Sequence, residues 1–242
     1  MSASLGAELR KLRHTRSLLA VPVVAVVVTA AATGVLMTWI EASEISDRLS
    51  MHGPLRFGPT NIGLVLLVFG IRAFGDEAHH GTLTAALLAT PHRHRLLVAK
   101  SVVSAAIAAA TCAVTWVAVL PITAAGVARR DLDMTVDAGA TAALFGRGLA
   151  AMVLVALLGV AFAAAVRNRT VALVAGIVWI ALAEGIVGGL LRIGEYLPGA
   201  AVSGTVTGGG HDLGAVASAA VLTCWTAVAY LAALVGLRRD IT

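Results

Sequence analysis

No charged side chain occurs between residues 18 and 40, and this run restricts the fold more than any other feature. At about 1.5 Å per helical residue it outreaches the roughly 30 Å hydrocarbon core of a bilayer. Five further runs are long and apolar enough, or nearly so, to do the same: 60–74, 96–127, 148–166, 170–191 and 213–237. Asn61 and Gly63 dilute the start of the second, and Pro121 sits near the end of the third. Hydrocarbon offers the backbone no partner, so such runs must satisfy their N–H and C=O groups internally, as helices. The sequence predicts an all-α polytopic membrane protein with six transmembrane helices. Composition points the same way: 59% of the 242 residues are hydrophobic and 13% charged, against about 45–50% and about 25% in soluble domains. The net charge of +5 is then expected to act on topology and membrane lipid, with no nucleic-acid partner.

Orientation follows from the basic residues. With both termini inside, the cytoplasmic side holds Arg10, Lys11, Arg13, Arg16, Arg72, Arg93, Arg95, Lys100, Arg167, Arg169, Arg238 and Arg239. The outer side holds half as many: Arg48, Arg56, Arg129, Arg130, Arg147 and Arg192. The positive-inside rule selects this arrangement. The outer loops also collect most of the acids, among them Glu41, Glu44, Asp47, Asp131, Asp133, Asp137, Glu195 and Asp212. A basic start followed by an apolar run and Ala30-Ala31-Ala32 resembles a signal peptide, but the run continues to Ile40, so it is expected to stay as a span. Ahead of it, Leu5, Leu9 and Leu12 fall at i, i+4 and i+7, with Glu8, Arg10, Lys11 and Arg13 mostly on other faces. That spacing suits an interfacial helix over 5–17 with its basic side chains toward anionic lipid. The alternative is a basic tail that only fixes topology.

The stretch from Asp76 to Lys100 is a polar, basic insert between two apolar runs. Within it, residues 81–90 have helical character but span only about 15 Å, too little to cross. Thr82 is placed to cap that helix, Asp76 and Glu77 precede it where negative charge suits the dipole, and Pro91 ends it. Leu83 and Leu87 share a face, with Ala86 beside them, and Arg72, Arg93, Arg95 and Lys100 bracket the segment. From residues alone two readings stand level. One is a surface helix that docks a cytoplasmic partner; the other is a return loop whose helix floats on lipid.

Glu184 is the acid set well inside a span, about 21 Å along the fifth. Such residues face protein or water and are functional candidates by default. Two readings are equally weighted: Glu184 lines a translocation route or outer gate, or it forms a structural pair with Arg147 or Arg192. His79, His80, His92 and His94 read as a solvated basic loop with no metal site, since Pro91 breaks any helix that could orient His92 and His94. Cys112 and Cys224 lie inside apolar runs and read as small core residues. Gly208-Gly209-Gly210 reads as an outer loop. The two lysines follow Arg10 and Ala99, so the chain has no P-loop, and neither a G-x-S-x-G elbow nor an H-E-x-x-H helix occurs. No catalytic residue and no bound cofactor are expected.

Nearly end to end, the chain resembles the type-2 ATP-binding-cassette (ABC) exporter permeases, in particular the small six-span forms of actinobacteria. The resemblance rests on A-E-L-R-K-L-R-H-T-R-S at the start, the whole Asp76–Lys100 insert, W-I-A-L-A-E, Y-L-P-G-A-A and the R-R-D-I-T tail. Where members usually have E-x-x-x-G-T or E-x-R-x-G-T, this chain has Glu77, Ala78, His79, His80, Gly81 and Thr82. The resemblance implies a half-transporter in a bacterial plasma membrane, paired with a second permease subunit as a homo- or heterodimer. Each subunit would meet a separate cytoplasmic ATPase that binds ATP and magnesium. The family's coupling helix would map onto 76–91, its interfacial helix onto about 5–17, and its outer re-entrant segment onto 192–199, within the 192–211 loop. The competing classes are a secondary transporter, which would usually show internal repeats and more intramembrane ionisable groups, and a membrane scaffold without transport.

Overall fold

The computed structural model describes residues 16–39, 52–79, 93–129, 138–191, 193–208 and 213–239. All elements among them are helical: α1 (Arg16–Trp39), α2 (His52–His79), α3 (Arg93–Ala128), α4 (Ala138–Val166), α5 (Arg169–Val178), α6 (Glu184–Leu191), α7 (Pro198–Thr207) and α8 (Ala215–Arg239). A π-helical turn, Trp179–Ala183, joins α5 to α6, and a short 3-10 turn, Gly194–Tyr196, precedes α7. Four stretches among the described residues are long and apolar enough to cross a membrane: Leu19–Trp39, Leu96–Ala128, Ala138–Val166 and Ala215–Gly236. The other two expected spans differ from these for visible reasons. Polar Asn61, Arg72 and Asp76 dilute α2, and the fifth run is divided by the π turn into pieces of 10, 5 and 8 residues.

The centre of the bundle is the α2–α4 pair. Gly70 and Gly159 face each other across it. A Cβ on Gly70 would lie 3.0 Å from the Val160 nitrogen, and one on Gly159 would lie 3.1 Å from the Ile71 nitrogen. Hydrocarbon solvates Leu as well as another helix does, so membrane helices associate through close contact, which small residues permit. Leu66, Phe69, Ile71, Met152 and Val160 are fully buried around this crossing. Helix α3 closes one side, packing on α1, α2 and α4, and Trp116 meets Phe145 edge-on at 5.5 Å. Helices α5 and α8 flank the pair elsewhere, α5 on α2 and α8 on α4.

After α6 the chain turns back. Gly188 and Gly194 come together so closely that a Cβ on Gly188 would lie 2.9 Å from the Gly194 Cα. Helix α7 then packs against α8, α4 and α2. The segment 193–207 thus folds back onto the bundle beside the fifth helical limb.

Candidate functional site

One end of the bundle gathers Arg72, Lys100, Arg167 and Arg169 with their partners. Asp76 lies in the last turns of α2, where a carboxylate opposes the helix dipole. It is held by Arg169 at the start of α5 (Nε to Oδ1, 3.0 Å) and by Arg72 one turn back (3.4 Å). Arg169 reaches it by lying over Gly75, where a Cβ would come within 3.1 Å of the arginine's own Cβ. Lys100, buried on α3, donates to the Ala73 carbonyl at 2.9 Å. Arg167 adopts a left-handed backbone (φ 60°) that ends α4, and its guanidinium donates to the Gly236 carbonyl of α8. Asn168 then caps α5, accepting from the Val171 N–H at 3.2 Å. Tyr230 of α8 and Ser101 of α3 are joined by a hydrogen bond between their hydroxyls.

These contacts tie α2, α3, α4, α5 and α8 together at the end from which residues 80–92 emerge. Asp76 and Glu77 were expected just ahead of a separate short helix, within a family coupling segment mapped onto 76–91. They belong instead to α2, which runs on to His79. The Arg72–Asp76 pair, spaced i, i+4, supports that extra turn. The side chain of Glu77 and all of Gly81, Thr82, Leu83, Leu87 and Pro91 lie outside the described residues, as do Leu5, Leu9, Leu12, Arg13 and Arg192.

The second site surrounds Glu184. The π turn sends the Glu184 N–H to the Trp179 carbonyl, adding one residue to that turn. This re-aims the half-buried Glu184 side chain toward the fold-back segment. Its Oε1 accepts from the Gly199 N–H at 2.6 Å. Gly199 is the second residue of α7, after Pro198, which has no N–H to satisfy. Glu184 therefore caps the positive end of a neighbouring helix. A Cβ at 199 would meet the carboxylate, so a larger residue there would push the Glu184 side chain aside.

Arg147 does not meet Glu184. Its guanidinium lies over Gly208, the left-handed residue (φ 85°) that ends α7. The two groups considered as an ion pair thus sit at opposite ends of one helix, each with the sign its dipole favours. Sequence reading missed Arg169 as the partner of Asp76, and it missed Trp179 and Gly199 around Glu184. Their signal was weak: an arginine directly after a loop asparagine, and a Pro-Gly pair soon after an intramembrane acid.

A family model described as ABC-2 family transporter protein matches residues 4–183. No curated protein matches the chain. The matched stretch includes Arg72, Asp76, Lys100, Arg167 and Arg169 and the insert between α2 and α3, and it stops directly before Glu184.

Proposed function

The chain belongs to the ABC-2 transporter family and is a multi-pass, non-catalytic membrane permease subunit of an ABC transporter; from that premise we propose that it serves ATP-driven export. In this reading two permease subunits pair, each docks a cytoplasmic ABC ATPase through residues 76–91, and ATP with its magnesium binds the ATPase alone. Both termini face the cytoplasm of a bacterial cell, and the fifth limb completes a six-span topology.

The observation that carries the proposal is the interlocked charged end. Residues 80–92 leave α2 directly after Asp76–His79 and rejoin at Arg93, and both roots are bonded into the bundle, through Asp76 to α5 and through Lys100 to α2. A partner that moves this segment moves α2, α3 and α5 together. Nucleotide binding shifts a conformational equilibrium only through contacts that differ between states, and a rigidly rooted segment supplies such a contact. The test is to extract the tagged chain in mild detergent from its native membrane. An ABC ATPase is expected to co-purify, and Glu77→Lys and Gly81→Pro are expected to uncouple ATP hydrolysis from transport while the spans still insert. Absence of any such ATPase, or full ATP-driven transport in both variants, overturns the reading.

A further inference from the structure

Beside the π turn the bundle leaves a half-open cavity of about 300 Å³. Leu67, Phe162, Gly176, Trp179, Pro198 and Trp225 line it, so α2, α4, α5, α7 and α8 all contribute. Its walls are hydrocarbon and aromatic carbon almost throughout. The polar handle of Trp225 is engaged, its Nε1 donating to the Tyr196 carbonyl at 2.8 Å. That ring is thereby held as a wall, and the lining offers almost no polar surface to read a headgroup.

Depth and surroundings indicate what fills this space. The lining residues of the fifth limb, 175–180, lie about 9–17 Å along the helix from Arg169, near the middle of a hydrocarbon core about 30 Å thick. The open side passes Ala175, Trp179 and Trp225, which are themselves exposed. On either side the surface continues as exposed aliphatic residues, Val171, Val174 and Val178 on α5 and Val228 and Leu231 on α8. The cavity is an inlet of the lipid-facing surface. Water finds no polar partner in such a site, and an empty hollow forfeits dispersion contacts. At that depth the surrounding solvent is hydrocarbon.

We propose that this cavity binds one acyl chain of a bilayer phospholipid, inserted between α5 and α8 beneath the π turn. The chain supplies contacts that the protein does not. Only Ala172 and Gly176 of α5 are buried, and no residue of α6 is. The fifth limb thus leaves most of its side chains outside the protein's own packing. The site owes nothing to the ATPase or to the cargo.

The whole chain, reconstituted in phosphatidylcholine–phosphatidylglycerol vesicles, is photolysed with a phosphatidylcholine bearing a mid-chain diazirine, and adducts are located by mass spectrometry. Adducts on Phe162, Trp179 and Trp225 are expected to saturate with probe and to be displaced by unlabelled phospholipid. Those on Val228 and Leu231 should rise linearly. Ala175→Phe, at an exposed position on the mouth, is expected to reduce the cavity adducts at least five-fold and leave Val228 and Leu231 labelled as before. Leu158→Phe, from the α4 wall, should do the same. Linear, non-displaceable labelling of the cavity in the unmodified chain overturns the proposal without reference to any variant. Efficient cross-linking of two copies through Ala175→Cys also overturns it, because a second chain would then cover the mouth.

Discussion

The α2–α4 crossing and the α5–α6 limb lie side by side and hold together by different means. At the crossing, Gly70 and Gly159 bring two backbones into contact, and large side chains close around them with no exposure. In the limb, Gly185 and Gly189 face open space, and Ile186 and Leu190 are 68% and 81% exposed. The crossing is held by shape. The limb is held by the packing of α5 on α2 and by a few directed bonds, Arg169 to Asp76 at its start and Glu184 to Gly199 midway. A region held by shape has one arrangement, because packed interiors transmit displacement instead of absorbing it. A region held by few bonds can be moved by changing one of them.

The sharpest test exchanges glycines between the two regions. Gly159→Leu drives a side chain into the backbone of α2 and is expected to cost about 3 kcal/mol, seen as loss of monodisperse protein on size-exclusion chromatography after detergent extraction. Gly189→Leu should leave the profile unchanged. Equal damage from both breaks the comparison.

Next in size is the Glu184 cap. Glu184→Ala leaves the Gly199 N–H without its acceptor inside the bundle and is expected to destabilise by about 1–2 kcal/mol. Glu184→Gln keeps an acceptor oxygen and should cost less, so the order of the two melting temperatures reports the hydrogen bond apart from the charge. Matching temperatures for both variants and the unmodified chain would remove the cap from the account.

Asp76→Asn should weaken the root of the fifth limb by on the order of 1 kcal/mol. The difference is expected to shrink as salt is raised, because the pair is about a quarter exposed on each side. Smallest is Tyr230→Phe, which removes the bond to Ser101. An interhelical hydrogen bond in a membrane protein averages about 0.6 kcal/mol, so its thermal shift should be just resolvable.

The apolar runs made the helical architecture legible, because lipid leaves the backbone no other solution. The charged end was legible in part. Asp76, Arg72, Lys100 and Arg169 all stood out as charges next to spans, but nothing in their spacing says that Arg169 crosses to α2. That depends on Gly75 leaving room for it. The π turn was not legible. Trp179–Ala183 contains neither proline nor glycine and is apolar on every face, so no periodicity marks where the helix changes phase. The Glu184–Gly199 bond was hidden for the same reason, since the aim of Glu184 is set by that phase. An acid inside a span announced a partner, and arginine was the obvious one. Electrostatics was instead satisfied by the N-terminus of a helix that the sequence had presented as loop.

Helix α7 stands between Glu184 at one end and Arg147 at the other. A carboxylate and a guanidinium carried along together amount to no net charge. Moving one elementary charge across a membrane potential of 100 mV is worth about 2.3 kcal/mol. A rearrangement that shifts Glu184, α7 and Arg147 as one body would exchange almost none of that energy with the field. The membrane potential would then do little work on that pair, whichever way such a body moved.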